Sequence, residues 1–389
     1  MQPLKGITVV TLEHAIAAPF ATRQLADLGA RVIKIERPGA GDFARGYDQR
    51  ARGLASHFVW TNRSKESLTL DVKHPQAQAV LERLVMDHAD VVVQNLAPGA
   101  AERLGLGWGA LSGKKPSLIL CDISGYGSDG PYRDKKAYDL LIQSESGFVS
   151  ITGTPDEPAK AGNSIADIAA GMYAYSNILA ALMQRAQTGR GQHIDLSMLE
   201  ALTEWMGYPL YYAMDGATPP PRTGAAHATI YPYGPFATGD GGSVMLGLQN
   251  EREWVSFCET VLKMPALATE TRFAGNAARS AARAELRGII DTVFCALTAP
   301  QVLGRLDEAQ IANARVNTMQ EVWEHPQLKA RDRWREVETP AGRLPALLPP
   351  GSWTEGPRMD AVPALGQHTD AILAELGFDA AALRTAGAV

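Results

Sequence analysis

Residues 6–12 (GITVVTL), the turn His14-Ala-Ile-Ala-Ala-Pro19 and residues 31–36 (RVIKIE) decide the fold. Each β-branched run is short, apolar and bounded by turn residues, the pattern of a strand covered on both faces. Between them, residues 18–28 carry helical periodicity, closed by Gly29-Ala30. The same grammar returns further on. Residues 76–87 read as a helix, 90–94 (DVVVQ) and 117–123 (SLILCDI) as strands, and 167–187 as a long helix. After the turn at 188–191, a strand at 193–196 and another helix follow. Buried strands alternating with helices predict a mainly parallel sheet, an α/β doubly wound domain. The first strand-to-helix turn has no glycine, which a dinucleotide site needs for close approach to the pyrophosphate. With no GxxxxGK[ST] loop either, dinucleotide and nucleoside-triphosphate enzymes are set aside.

The Pro-rich segment 215–222 (DGATPPPR) reads as a linker. It divides the chain into residues 1–213, a linker at 214–223, a smaller region at 224–319, and a return segment at 320–389. The smaller region is expected to hold strands at 233–236 and 243–248 and helices at 251–262 and 282–297. A helix near 369–376 closes the return segment.

With 37 Lys+Arg against 42 Asp+Glu, the net charge of −5 over 389 residues argues against a nucleic-acid partner. Three cysteines without a CxxC pair speak against a disulfide framework or a cysteine-rich zinc site. The eight histidines show no metal-ligand spacing, so no metal centre is expected. No GxSxG elbow is present. The N-terminus lacks signal-peptide features, and no apolar run approaches the ~20 residues of a membrane span. A soluble cytoplasmic enzyme with no membrane partner is the expectation.

Asp167 opens the long helix. Read alone, it is an N-capping aspartate. The small residues Ala169, Ala170 and Gly171 suggest a second role, access of a bulky ligand to a carboxylate nucleophile beside the N–H groups of a helix start. Ser124-Gly-Tyr-Gly after a strand marks a binding loop or a surface turn. Arg37 and Arg103, near strand ends, are either surface cations or joint phosphate ligands.

Taken together, the segments Pro3-Leu-Lys-Gly-Ile, Leu28-Gly-Ala-Arg-Val-Ile-Lys-Ile-Glu-Arg-Pro38 with Gly41-Asp42, and Asn62-Arg-Ser-Lys-Glu-Ser-Leu-Thr-Leu-Asp71 resemble the family III coenzyme A transferases. So do Asn95-Leu-Ala-Pro-Gly99, Ser124-Gly-Tyr-Gly, Ala137-Tyr-Asp-Leu-Leu141, Gly189-Arg-Gly-Gln192 and Pro363-Ala-Leu-Gly366. The resemblance implies a homodimer of interlocked, ring-like subunits, each with a Rossmann-like large domain and a smaller α+β domain. It implies acyl-CoA and a small carboxylic acid as substrates, with no permanently bound cofactor. Asp167 would be the covalent nucleophile, with Asp139 and Tyr138 supporting it. Coenzyme A contacts would fall on Ala15, Ile16, Ala17, Arg37, Leu70, Asn95, Leu96, Ala100, Arg103, Lys136 and Met198. The apolar members would line an adenine pocket, and Arg37, Arg103 and Lys136 would address phosphates.

Formyl-CoA transferase carries a glutamine where Ile16 stands and a tryptophan where Tyr47 stands, so formyl or oxalate chemistry is not the lead. The racemase branch has a histidine where Tyr138 aligns, and a phenol of pKa ~10 is a poor base for an α-proton. Acyl-CoA racemase or epimerase activity is therefore the runner-up, and a non-catalytic CoA-binding protein is third. The wording of residues 161–173 and 227–236 resembles the dicarboxylate branch, which uses succinyl-CoA with itaconate, mesaconate, citramalate or malate, so the expected acceptor is a C4–C5 dicarboxylate such as itaconate. Arg45, Arg50, Arg52 and Arg63 are the candidates for the far carboxylate, each also readable as a surface or subunit-contact arginine.

Overall fold

The computed structural model describes residues 1–351 and 354–389. The chain divides into two compact units. Residues 1–147, 161–207 and 328–389 form the first, and residues 148–160 and 208–327 the second.

In the first unit, β1 (Thr8–Leu12) leads through a tight turn into α1 (Ala17–Asp27) and β2 (Arg31–Glu36). Then come α2 (Ser56–Thr61), β3 (Lys65–Thr69), α3 (Pro75–His88), β4 (Val91–Gln94) and α4 (Ala100–Arg103). After β5 (Ile119–Ser124) follow α5 (Asp139–Glu145), α6 (Ile165–Thr188), β6 (His193–Ser197) and α7 (Met198–Trp205). The six strands lie parallel in the order β3-β2-β1-β4-β5-β6. This is a mixed α/β fold. Strand order reverses between β1 and β4, and ligands of such sheets bind in the crevice outside the strand ends at that point.

Three sequence expectations need correction here. The long helix begins at Ile165, not Asp167, which places Asp167 inside its first turn. At 24 residues, α6 is also long and apolar enough to cross a membrane. It packs instead on α1, α7, β5 and β6. Gly171 permits that packing, because a Cβ there would stand 2.8 Å from the Ala17 carbonyl oxygen and 2.9 Å from the Phe20 ring. Ala169 and Ala170 are fully buried. The small residues thus serve a close helix crossing, and the expected ligand access through them does not hold.

The second unit has an antiparallel sheet of β7 (Tyr233–Ala237), β8 (Ser243–Gly247) and β9 (Ala312–Arg315). Helices α8 (Glu251–Ser256), α9 (Arg283–Phe294) and α10 (Ala299–Glu308) cover it around a core that includes Phe236, Trp254, Phe257, Phe273 and Phe294. The chain then returns to the first unit through a hairpin, β10 (Trp334–Val337) and β11 (Leu344–Leu347), and ends in α11 (Thr369–Glu375) and α12 (Ala380–Thr385).

Candidate active site

The site is built at the β1–β4 reversal. Asn95, just beyond β4, accepts from the His14 N–H at 2.9 Å and donates to the His14 carbonyl at 2.9 Å. One side chain therefore fixes both faces of the turn after β1. Gln94 fixes the other loop. Its Oε1 accepts from the Leu96 N–H at 2.7 Å, and its Nε2 donates to Asp122 at 2.8 Å. Asp122 in turn pairs with His193 at 2.7 Å. Although the turn lacks glycine, it still uses a left-handed residue, Ala15, at φ 62°.

Beneath the turn lies a charged network that sequence reasoning passed over. Lys34 Nζ sits 2.8 Å from Asp42 and 3.3 Å from Glu13, and Lys65 Nζ sits 2.6 Å from Glu13. All four side chains are fully enclosed. Burial alone would raise the Glu13 carboxyl, but Lys65 and Lys34 outweigh it and bring it to about 2. Burial pushes Lys65 down to about 7, against the pull of Glu13. The available signal was a lysine inside an apolar strand, RVIKIE, which a strand buried on both faces admits only when the charge is paired.

Asp167 stands in the first turn of α6, half-buried, and its carboxylate has no hydrogen-bond partner among the described residues. Burial, with the Asp139 charge adding, pushes its pKa up to about 7. The N-capping reading of Asp167 is overturned by Asp139. Asp139 Oδ1 accepts from the Ala166 N–H at 2.8 Å and the Asp167 N–H at 3.2 Å, so it caps α6 from another helix. Its other oxygen accepts from Gln143 Nε2 at 2.6 Å. The Ile165 N–H is bonded to the Asn163 carbonyl. These N–H groups are taken, and the helix start has none of them to offer an oxyanion.

Tyr138, adjacent to the cap, is 71% exposed. Tyr47 is the phenol that senses the site. Burial, then Asp42, Asp167 and Tyr138, raise its pKa, so it remains a hydroxyl donor.

The expected coenzyme A contacts separate by environment. Ala15, Asn95, Leu96 and Ala100 are partly exposed around the strand reversal. Arg37, Arg103 and Lys136 are exposed on segments after β2, β4 and β5, with no side-chain partner among the described residues. Ile16, Ala17, Leu70 and Met198 are at most 8% exposed. Leu70 is part of the sheet core, and its N–H bonds the Glu36 carbonyl. These four side chains are enclosed by the chain itself.

A cleft of about 270 Å³ opens outside β4, β5 and β6, with Leu96 in its wall. Glu102, Asp122, Asp134 and Asp195 outnumber Arg133 there, the wrong sign for phosphates. A larger cavity of about 400 Å³ beside the β10–β11 hairpin holds none of the expected site residues.

The four arginine candidates also separate. Arg63 is filled by Asp27 through two bonds of 2.9 and 2.7 Å, and Arg45 by Glu36 through two of 2.8 Å. Arg52 donates to the Arg343 carbonyl at 2.7 Å. Arg50 is exposed, with no side-chain partner among the described residues.

Residues 4–369 match the family model described as CoA-transferase family III. A succinate–glutarate CoA-transferase of Agrobacterium fabrum is 36% identical over 96% of this chain and 96% of its own length. A succinyl-CoA–D-citramalate CoA-transferase of Chloroflexus aurantiacus is 34% identical, covering 96% and 94%. The crystal structure of a CAIB/BAIF family protein from Brucella suis superposes with a TM-score of 0.85 at 34% identity, covering 96% of this chain and 99% of that one.

Proposed function

Because the chain belongs to CoA-transferase family III, we propose that it moves CoA from succinyl-CoA to a five-carbon dicarboxylate through Asp167. The observation that carries the reading is an unpartnered, half-buried carboxylate whose pKa is raised to about 7. Raising the pKa of a carboxylate strengthens it as a nucleophile once ionised, and the absence of a partner leaves its oxygens free to attack.

In the first step an Asp167 oxygen attacks the succinyl carbonyl, and the thioester C–S bond breaks, giving a mixed anhydride and CoA thiolate. The thiolate then attacks the Asp167 acyl carbon, releasing succinate and leaving an aspartyl-CoA thioester. The acceptor carboxylate displaces CoA from that thioester, forming a second anhydride. Finally the thiolate attacks the acceptor's acyl carbon, and Asp167 regains its carboxylate. Each anhydride is lost if water enters, so the sequence requires an enclosed site. Asp139 keeps the α6 start rigid, and the exposed cations Arg37, Arg103 and Lys136 address the CoA phosphates. Arg50 is the arginine free to hold the far carboxylate of the diacid.

The relatives named for glutarate and D-citramalate both act on C5 diacids, which supports that acceptor length. Glutarate joins itaconate as a test acceptor. The interlocked homodimer belongs to the same reading. It is supported by the apolar surface of residues 205–214, where Tyr211 is 79% and Met214 58% exposed.

The test is turnover resolved by mass. Succinyl-CoA is combined separately with glutarate, itaconate, mesaconate, citramalate, malate and oxalate. A new acyl-CoA is expected with the C5 acids, together with a CoA adduct on the peptide holding Asp167. Asp167→Ala is expected to lose both, with turnover falling on the order of 10³-fold or more. Deuterium entering the α-carbon of a branched acyl-CoA without transfer would instead establish the racemase.

A further inference from the structure

We propose that Asp42 is a positioning residue for the turn that faces coenzyme A, acting through the Ala15 N–H. This rests on the proposed function for the identity of the ligand, while its geometry stands by itself. Ala15 occupies the left-handed region, φ 62°, where a residue with a Cβ is strained and persists only if its surroundings hold it. Asp42 Oδ1 supplies the hold, accepting from the Ala15 N–H at 3.2 Å and from the Ala44 N–H at 2.9 Å. The neighbouring Phe43 ring stacks on His14 with centroids 5.0 Å apart, so residues 42 and 43 grip adjacent residues of the turn. Asn95 grips His14 from the opposite strand.

The carboxylate is itself held. Asp42 Oδ2 lies 2.8 Å from Lys34, and Lys34 and Lys65 share Glu13. Two lysines and two carboxylates face one another in this enclosed four-residue group. Burying four charges is no route to stability, because apolar side chains of similar volume usually do as well or better. What apolar side chains cannot provide is a fixed acceptor for an N–H in a strained turn. The network therefore fits the task of presenting one ionised oxygen at one place. Without that acceptor, Ala15 relaxes toward negative φ and the 14–16 turn moves away from its CoA-facing position.

The experiment compares two neutral replacements in which Lys34 never loses its partner alone. Lys34→Met/Asp42→Asn keeps a carbonyl acceptor at position 42, and Lys34→Met/Asp42→Ala removes it. The Asp42→Ala pair is expected to raise KM for succinyl-CoA about tenfold or more over the Asp42→Asn pair. Saturated kcat and the KM for the acid acceptor should agree within about threefold. Placing Ala15→Gly beneath both pairs should shrink the contrast below threefold, since glycine takes φ > 0 without strain. Equal KM values for the two pairs, or a contrast untouched by Ala15→Gly, would overturn the proposal, as would a loss confined to kcat. Calorimetric binding of free CoA reads the same contrast without turnover. A wild-type chain that transfers nothing yet keeps the contrast in CoA affinity would sink the proposed function alone. Where either pair fails to fold, the contrast is read between Asp42→Asn and Asp42→Ala with Lys34 retained.

Discussion

A carboxylate attacks only as its anion, and Asp167 sits where the anion is disfavoured by burial and by Asp139. Under the proposed mechanism, its pKa near 7 places the change between inactive and active forms in the neutral range. We expect kcat/KM for succinyl-CoA to rise with pH through about 7 and then level. Asp139→Asn retains an acceptor for the Ala166 and Asp167 N–H groups but removes the charge, so the midpoint should move down while staying above the ordinary carboxylate value, burial being the larger cause. A profile flat from pH 5.5 to 8.5 would rule out Asp167 ionisation as the control. The same shift has a stability consequence. Above the ordinary carboxylate value of 3.8 the folded chain keeps a proton that the unfolded chain releases, so stability contributed by this site falls as pH rises from there toward 7. Asp167→Asn removes that liability. It should be more stable than wild type at pH 8, by up to about 4 kcal/mol (roughly three pH units at ~1.4 kcal/mol each), and about equal to it at pH 4, as denaturant titration can show.

At the scale of elements, α6 and α1 cross so closely that a glycine is required by contact rather than by dihedral angle. Gly171→Ala gains helix propensity, which in an open helix stabilises by about 0.5–1 kcal/mol. Here the added Cβ meets a backbone oxygen at 2.8 Å, and the overpacking, roughly 1–3 kcal/mol, outweighs the gain. Gly288 in α9 is the control, since a Cβ added there meets nothing within 4 Å. Thermal melting should show Gly171→Ala destabilised and Gly288→Ala stabilised. Equal signs would disprove the steric account. Elements of this sheet differed in how plainly they showed in the sequence. The β-branched runs of β1, β2 and β4 declared themselves, because a strand buried on both faces has few alternatives to Val and Ile. β3 did not. Lys-Glu-Ser-Leu-Thr has one aliphatic residue in five, and it is a strand because Lys65 finds Glu13 and Ser67 finds Glu36 in the folded state. The site divided in the same way. Asn95 and Asp139 lie in stretches that carry the family resemblance and Asp167 in the reading of a helix start, whereas the capping role of Asp139 depends on residues 27 positions apart, Asp139 and Ala166, meeting in space.

At the scale of the whole molecule, the parallel sheet is completed by the end of the chain. Ser67 and His368 exchange two bonds, with the Ser67 N–H donating to His368 Nδ1 at 3.1 Å and the His368 N–H donating to the Ser67 carbonyl at 3.0 Å. The Thr69 N–H donates to Thr369 Oγ1 at 3.0 Å, and the Asp71 N–H to the Ala388 carbonyl at 2.9 Å. This last segment thereby satisfies the outer edge of β3, which would otherwise present unpaired N–H and C=O groups to other chains. It also places Ile372, Leu373, Leu376 and Leu383 in the same core as Leu68, Leu70, Leu81 and Leu84. Two independent needs, edge protection and core closure, fall on residues more than 290 positions from the strand they serve. Deletion of residues 361–389 should therefore yield an aggregated or unfolded first unit rather than a trimmed enzyme, judged by size-exclusion chromatography and by proteolysis of residues 1–147. A point variant separates core from edge. Leu373→Ala leaves each of these edge bonds possible but removes a fully buried side chain, and should cost about 2–5 kcal/mol. Leu347→Ala, at a position 45% exposed, should cost under about 0.5 kcal/mol. If Leu373→Ala proved as mild as Leu347→Ala, the return segment would be an appendage and the sheet self-sufficient. A full loss at Leu373, with transfer activity failing at the same temperature as the fold, would mean that the proposed nucleophile in α6 depends on the far end of the chain to keep its sheet closed.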